Sequence, residues 1–292
     1  MKLYFYRGAS ANFGDELNHW LLPKVFPDFF DEDDSTLFLG IGSILFDHYP
    51  ADCKKIVFGS GYGGYTPPPK LDAGWNIYCV RGPRTADALG LSRDTVAGDA
   101  AILINRYRKR PAQTTRRIGF MPHWQSLQRG NWRQACAMAG LHFIDPCGPV
   151  EQVLAEIESC ASLIAEAMHG AIVADALRVP WVAALPIHAA HRFKWFDWAE
   201  ALDMTLAPCP LWPSTAREAF MAATQRTYHR LEHPGKAAFA LRRADSIFTA
   251  LASARLWQLA RREPRLSSDA ALALALDRLE GHAARIRGDF SG

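Results

Sequence analysis

The stretch Ile164-Ala165-Glu166-Ala167-Met168-His169-Gly170-Ala171-Ile172-Val173-Ala174-Asp175-Ala176-Leu177 decides how this chain is read. A short apolar run delivers a histidine and a glycine to the start of a segment with helical spacing, which predicts a strand, a tight loop and an amphipathic helix. A helix N-terminus carries partial positive charge and unpaired N–H groups, so His169 and Gly170 sit beside an anion site. An imidazole there serves as acid or base near neutrality, or simply caps the helix.

The same alternation runs outward in both directions. Upstream lie strand-like Ile118–Met121, a helix around Trp132–Ala139, strand-like Leu141–Ile144, a helix over Val150–Cys160 and strand-like Ser162–Ala165; Trp181–Leu185 follows. Nearer the N-terminus, Lys2–Tyr6, Thr36–Leu39, Lys55–Phe58 and Asn76–Val80 are short apolar runs that each lead into glycine, and helices are expected over Glu16–Val25 and Pro83–Leu89. Pro83 suits a first helical position and Gly90 a position just past the end. Strand, glycine loop and helix in alternation predict an α/β fold. The basic, proline-containing segment from about Arg106 to Arg117 interrupts the pattern as a linker does. After about Ser214 the chain turns helical, with Ala237–Arg262 and Ser267–Arg287 rich in Ala, Leu and Arg. The expected organisation is two Rossmann-like doubly wound domains (residues 1–110 and 117–213) facing a cleft, followed by a helical extension (214–292). That arrangement turns the strands' carboxyl ends, and hence the glycine loops, toward one ligand.

Composition sets bounds on function. The chain has 292 residues, 49% of them apolar, enough for more than one core of ordinary size. No uncharged apolar run of about eighteen residues occurs, and Met1–Arg7 begins directly with a charged strand-like segment rather than a signal peptide. A soluble, cytoplasmic protein is expected. The six cysteines form no CxxC pair and suit reduced core thiols. Nothing demands a metal or a cofactor. A net charge of +3 is too small for a nucleic-acid binder, though basic clusters at Arg106–Arg110, Arg116-Arg117, Arg242-Arg243, Arg261-Arg262, Arg285 and Arg287 are either solvated faces or an attraction for a diphosphate-bearing or membrane-bound acceptor.

Several loops carry candidate chemistry. In Asn12-Phe13-Gly14-Asp15, Gly14 permits an unusual backbone, Asp15 can cap a helix or act on a ligand, and Asn12 can reach a polar group. Gly40-Ile41-Gly42-Ser43 and Gly59-Ser60-Gly61 bring Gly42, Ser43 and Gly61 to the cleft without the full dinucleotide fingerprint. Arg81-Gly82-Pro83-Arg84-Thr85 places Arg81 at a strand end, as an anion clamp or as half of an ion pair. Asp99 in Gly98-Asp99-Ala100-Ala101 is a base or a turn residue. Met121-Pro122-His123-Trp124 offers His123, and Glu166 is placed to orient His169 or to carry a proton itself. His188, His191, Arg192 and Lys194 can meet phosphate.

The ordered series NFGDELN, GIGS, GSG, RGPRT, GDAA and AEAMHGAIVADAL, spanning about Met1 to Met204, resembles the polysaccharide pyruvyl transferase family, in particular bacterial exopolysaccharide pyruvyltransferases of succinoglycan or xanthan type. The resemblance implies a fold like the two-domain GT-B glycosyltransferases. It also implies transfer of pyruvate from phosphoenolpyruvate onto a sugar as a ketal, with a lipid-linked oligosaccharide repeat unit as acceptor at the inner face of the cytoplasmic membrane. On that basis His169 is expected as the acid or phosphate donor, Asp15 or Asp99 as the base, and Arg81 with His123 or Arg192 as the clamp. The family's Arg-x-His-Gly is here Ala167-Met168-His169-Gly170, so one arginine is missing. The competing readings are a nucleotide-sugar glycosyltransferase on the same plan and a non-catalytic oligosaccharide-binding module.

Overall fold

A computed structural model describes residues 1–8, 11–109, 115–224 and 237–290, with the backbone alone over 237–244. The first sheet comprises β1 (Lys2–Tyr4), β2 (Thr36–Leu39), β3 (Lys54–Ser60) and β4 (Trp75–Val80), parallel and ordered β1-β2-β3-β4. The second comprises β5 (Ile118–Met121), β6 (His142–Phe143), β7 (Ser162–Ala165), β8 (Trp181–Leu185) and β9 (Cys209–Pro210), parallel and ordered β6-β5-β7-β8-β9. Between and after them lie α1 (Phe13–Val25), α2 (Pro83–Ala88), the single turn α3 (Ile104–Tyr107), α4 (Trp124–Arg129), α5 (Trp132–Met138), α6 (Val150–Ser159), α7 (Met168–Ala176), α8 (Phe193–Ala201), α9 (Ala216–Thr224), α10 (Ala237–Leu259) and α11 (Asp269–Phe290).

The strands are apolar on both faces because both faces are covered, as parallel sheets require. In the first sheet Phe38, Ile56, Phe58 and Cys79 enter a core shared with α1 and α11, while Leu37, Leu39, Val57 and Val80 pack on the other side with Ile44, Leu45 and Ala86. Cross-strand register pairs Phe38 with Ile56 and Leu39 with Val57. The first of these cores extends without a break into α6 and α7 of the second half.

The strand order of the second sheet reverses between β5 and β7, which makes their carboxyl ends a topological switch point, where α/β sheets bind ligands. The first sheet runs in chain order, so the doubly wound expectation does not hold there. Only β1 and β2 are joined through a helix; the segments after β2 and β3 carry Gly40, Gly42, Pro50, Gly61, Gly63 and Pro67–Pro69, too rich in helix breakers to form another.

One further expectation changes. Helix α7 is not amphipathic: Met168 and every residue from Gly170 to Ala176 are buried, since α1, α6 and β7 surround it. The C-terminal helices pack on the body. Leu272, Ala275, Leu276, Leu279, Ala283 and Ile286 form one stripe of α11 against β3, β4 and the turn Ala100–Leu103, and α10 lies on α5.

The basic clusters are partly absorbed by internal pairing. Arg106 meets Glu280 of α11 at 2.8 Å, Arg108 pairs with Glu158 and Glu151 of α6, and Arg287 donates to the Val25 carbonyl. Arg110 lies outside the described residues, as do the side chains of Arg242 and Arg243. No described helix is long and apolar enough to cross a membrane. No disulfide joins any of the six cysteines.

Candidate active site

A cavity of about 360 Å³ opens where the carboxyl ends of both sheets converge. Asn12 and Asp15 reach it from the loop after β1 and the start of α1; Ser43, Phe46 and His48 come from beyond β2, and Tyr65 and Thr66 from beyond β3. The second sheet contributes His123, Trp124 and Gln125 after β5, His169 after β7, and His191 and Lys194 after β8. Among the described residues, Lys194 and Asp15 are the Lys and Asp of this lining, with no arginine and no glutamate beside them.

Asn12 caps α1, its side-chain oxygen accepting the Gly14 N–H, and its Nδ2 donates to Asp15 Oδ2 at 2.7 Å. Burial holds the Asp15 carboxyl above the usual carboxylate range; the Asn12 bond, His169 and Lys194 pull it back, and Glu16 adds to the rise. A carboxylate so placed is a stronger base than one in water. Gly42 has φ +133°, a backbone angle that favours glycine, and a Cβ added there would stand 3.8 Å from Asp15 Oδ1.

His169 is the second residue of α7. Its imidazole lies on Gly14, where a Cβ would stand 2.1 Å from Nδ1, so the motifs around Asn12 and His169 form one unit that needs glycine at that contact. His169 Nε2 is 3.6 Å from Asp99 Oδ2, and neither buried atom has a hydrogen-bond partner among the described residues. The other Asp99 oxygen accepts the Ala101 N–H at 3.0 Å. Asp99 is fully buried and outside the cavity lining, so it faces the imidazole rather than a ligand. The residue that caps α7, Ala167, offers no side-chain oxygen, which leaves the first N–H groups of the helix without a side-chain cap.

The two arginines expected in the clamp are placed elsewhere. Arg81 is fully buried: Nε donates to Asp197 Oδ2 at 2.8 Å, Nη1 to Ser43 Oγ at 2.7 Å and Nη2 to the Tyr62 carbonyl at 2.9 Å. The guanidinium is engaged on all three nitrogens, and its partner Ser43, rather than Arg81 itself, is on the cavity lining. Gly61 is the backbone against which it rests, a Cβ there meeting Cζ at 2.1 Å. Arg192 donates to the Pro186 carbonyl at 3.2 Å and lines a separate groove with Pro210 and Leu211. Gly170 lets the end of β5 approach α7, since a Cβ would stand 2.6 Å from Met121 Sδ.

His123 does reach the cavity. Its Nδ1 accepts the Gln125 N–H at 3.3 Å, and its ring stacks on His191 at 4.3 Å between centroids. Burial, reinforced by His191 and Lys194, holds His123 well below the usual histidine range, so it is neutral and carries its proton on Nε2 as a donor. Glu166 does not orient His169. Its carboxylate accepts the His123 N–H at 2.8 Å, the Ser126 hydroxyl at 2.9 Å and the Ile187 N–H at 3.4 Å, bracing the loops after β5 and β8. Burial pushes it up to about 7.

Among the described residues, the lysine on the lining is Lys194, which ends the basic group His188–Lys194 that also contains Arg192. Tyr6, Phe46, His48, Tyr65, Thr66, Trp124 and Gln125 were not singled out by motif. Their signal is positional: each lies shortly after a strand, on the side where α/β sheets bind ligands.

Residues 9–186 match a family model described as polysaccharide pyruvyl transferase. The chain is 35% identical over 317 aligned positions to the "Succinoglycan biosynthesis protein ExoV" of Rhizobium meliloti (strain 1021), covering 99% of this chain and 100% of that protein. The helical tail is thus inside the shared length. No solved structure matches.

Proposed function

This chain belongs to the polysaccharide pyruvyl transferase family, and from that premise we propose that it transfers pyruvate from phosphoenolpyruvate to a sugar of an exopolysaccharide repeat unit as a ketal, releasing phosphate. The observation that carries this reading is the convergence of Asp15, His169 and Lys194 on one cavity, from loops of both sheets, with Asp15 electrostatically coupled to the other two.

The chemistry needs an acid, a base and an anion clamp. Protonation of the donor's methylene carbon makes the neighbouring carbon electrophilic; His169, held between Gly14 and Asp99, is the acid. The first acceptor hydroxyl adds to that carbon as Asp15 takes its proton. The second hydroxyl then bonds to the same carbon and closes the ketal ring as the bond from that carbon to the phosphate oxygen breaks, and the phosphate leaves with that hydroxyl's proton. Lys194 and the N-terminus of α7 neutralise the donor's phosphate and carboxylate. Asp99 is a positioning residue that acts through His169. The division at 110 and 117, and the likeness to two-domain GT-B enzymes, belong to the same reading, as does a lipid-linked acceptor met at the inner membrane face.

The test is phosphate release from phosphoenolpyruvate by purified protein, with and without a lipid-linked oligosaccharide extract. His169→Ala is expected to lower acceptor-dependent release by about 100-fold or more. Release within a few-fold of the parent would remove His169 from its role. Protection from thermal unfolding by nucleotides and not by phosphoenolpyruvate would support a glycosyltransferase instead, and oligosaccharide binding without release a binding module.

A further inference from the structure

Beyond Asp15 and His169 much of the cavity wall is aromatic, with Tyr6, Phe46, Tyr65 and Trp124 on it, and Lys194 Nζ lies 6.0 Å from the Tyr65 ring centroid. Tyr65 is 45% exposed yet fixed in place. One side of its ring lies on the backbone of Gly63, where a Cβ would come within 2.4 Å of Cε2. Its hydroxyl is 3.2 Å from His191 Nδ1, and the two rings meet edge-on at 5.5 Å. The other nitrogen of His191 lies 2.8 Å from the Gln125 side-chain oxygen, which can only accept. Burial, with Lys194 and His188 nearby, pushes His191 down to about 2, so the ring is neutral, donates to Gln125 through Nε2 and accepts the Tyr65 O–H at Nδ1. A second plate stands on the segment after β2: His48 stacks on Phe46 at 4.4 Å and 19°, and Phe46 on Tyr49 at 5.0 Å and 14°.

An exposed aromatic ring that is braced on one side and tethered at its hydroxyl has given up its rotational freedom before any ligand arrives. An uncharged pyranose fits such a plate, because its ring presents a face of C–H groups to the aromatic surface and its hydroxyls to polar atoms at the edge. A three-carbon anion has no use for it. We propose that Tyr65, braced by Gly63 and His191, is the platform on which a pyranose ring of the acceptor stacks, with the His48–Phe46 stack as a second contact. This rests on the pyruvyl-transfer reading and assigns the acceptor side of the same cavity.

The experiment varies acceptor and donor separately in Tyr65→Ala, Tyr65→Phe and Gly63→Ala. Tyr65→Ala is expected to raise the KM for the lipid-linked extract about tenfold, equivalent to a contact of about 1.4 kcal/mol, with the KM for phosphoenolpyruvate within twofold. Tyr65→Phe keeps the ring and should recover most of the loss; Gly63→Ala displaces the ring and should resemble Tyr65→Ala. An acceptor KM unchanged in Tyr65→Ala, or a donor KM that rises with it, overturns the assignment. A binding readout stands apart from turnover: quenching of tryptophan fluorescence, with Trp124 on the lining, by oligosaccharide released from the extract with mild acid. Saturable quenching in the parent that weakens in Tyr65→Ala supports the platform even where phosphoenolpyruvate is not turned over. Its absence in the parent, or equal quenching in both, defeats the platform while leaving phosphate release to judge the donor chemistry.

Discussion

At the residue scale, the buried carboxyl of Glu166 gives the protein a pH dependence of its own. Its proton affinity rises from an ordinary value of 4.5 to about 7 in the folded chain, because burial disfavours the charge. The folded state therefore binds the proton more tightly than the unfolded state. The associated stability is fully present below 4.5 and is lost as pH rises through about 7, a change of roughly 3 kcal/mol. Glu166→Gln removes the titration, so urea unfolding of the variant should lose that decline between pH 5 and 7; an unchanged decline would place its origin elsewhere. The sequence pointed to Glu166 through its spacing from His169, yet the carboxylate bonds the loops after β5 and β8. Spacing along a chain tells which residues are near each other at a strand end, but not which way each side chain turns. His169, Asp15 and Asn12 were legible because glycine and helix-start signals mark their loops. Tyr65 had no such mark, since an exposed tyrosine in a loop looks like any other until the second wall of the cavity is in place, and Lys194 was marked by its basic group but not told apart from Arg192, which turns to another groove.

At the scale of elements, one buried ion pair fastens β4 and α2 of the first half to α8 of the second. Asp197 accepts from Arg81 Nε at 2.8 Å, from the Thr85 N–H at 2.8 Å and from the Thr85 hydroxyl at 2.7 Å, and both charged side chains are fully buried. Gly82 lies so close that a Cβ would stand 1.9 Å from the Asp197 carbonyl oxygen. Arg81→Met strands the Asp197 carboxylate in the interior, and a pair broken from one side costs about 3–5 kcal/mol. Chemical denaturation should show that loss, with the KM for phosphoenolpyruvate unmoved in whatever fraction remains folded; a raised KM at full stability would return Arg81 to the ligand. The neighbouring Arg84–Glu200 pair is partly exposed and contributes about 0–1 kcal/mol. Strands β2, β5, β7 and β8 lie on short apolar runs bounded mostly by glycine, proline or a polar residue, which is why their limits were legible in the sequence. The sheet order was not, because the period of a strand says nothing of its neighbour. The surroundings of α7 were hidden for a related reason: its Ala, Ile and Val residues satisfy a one-sided stripe as well as burial all round.

At the scale of the whole molecule, the question is whether the C-terminal helices belong to the fold or serve a membrane. Six residues of α11 form a buried stripe on the face of the first sheet, with Leu279 and Ile286 wholly enclosed. The partner surface is Phe58, Cys79 and the turn Ala100–Leu103, the turn that begins at Asp99, so the helix also backs the support of His169. Burying a leucine or isoleucine is worth about 1.5–3 kcal/mol. The four in the stripe, Leu272, Leu276, Leu279 and Ile286, together approach the whole stability of a typical domain, about 5–15 kcal/mol. Deleting residues 268–292 is thus expected to abolish cooperative urea unfolding and yield insoluble protein. Leu279→Ala, which leaves the helix in place, should cost about 2–5 kcal/mol. The two variants separate packing from docking: a truncated chain that stays soluble and cooperative but binds anionic liposomes more weakly would assign the tail to the membrane. The arginines sharpen the contrast. Arg106 reaches across to Glu280, and Arg287 donates to the Val25 carbonyl while its guanidinium lies 5.9 Å from the Phe26 ring centroid, so these basic groups are already engaged in holding α11 to the body. Liposome binding of the intact protein should accordingly be insensitive to Arg106→Ala, while its unfolding midpoint falls.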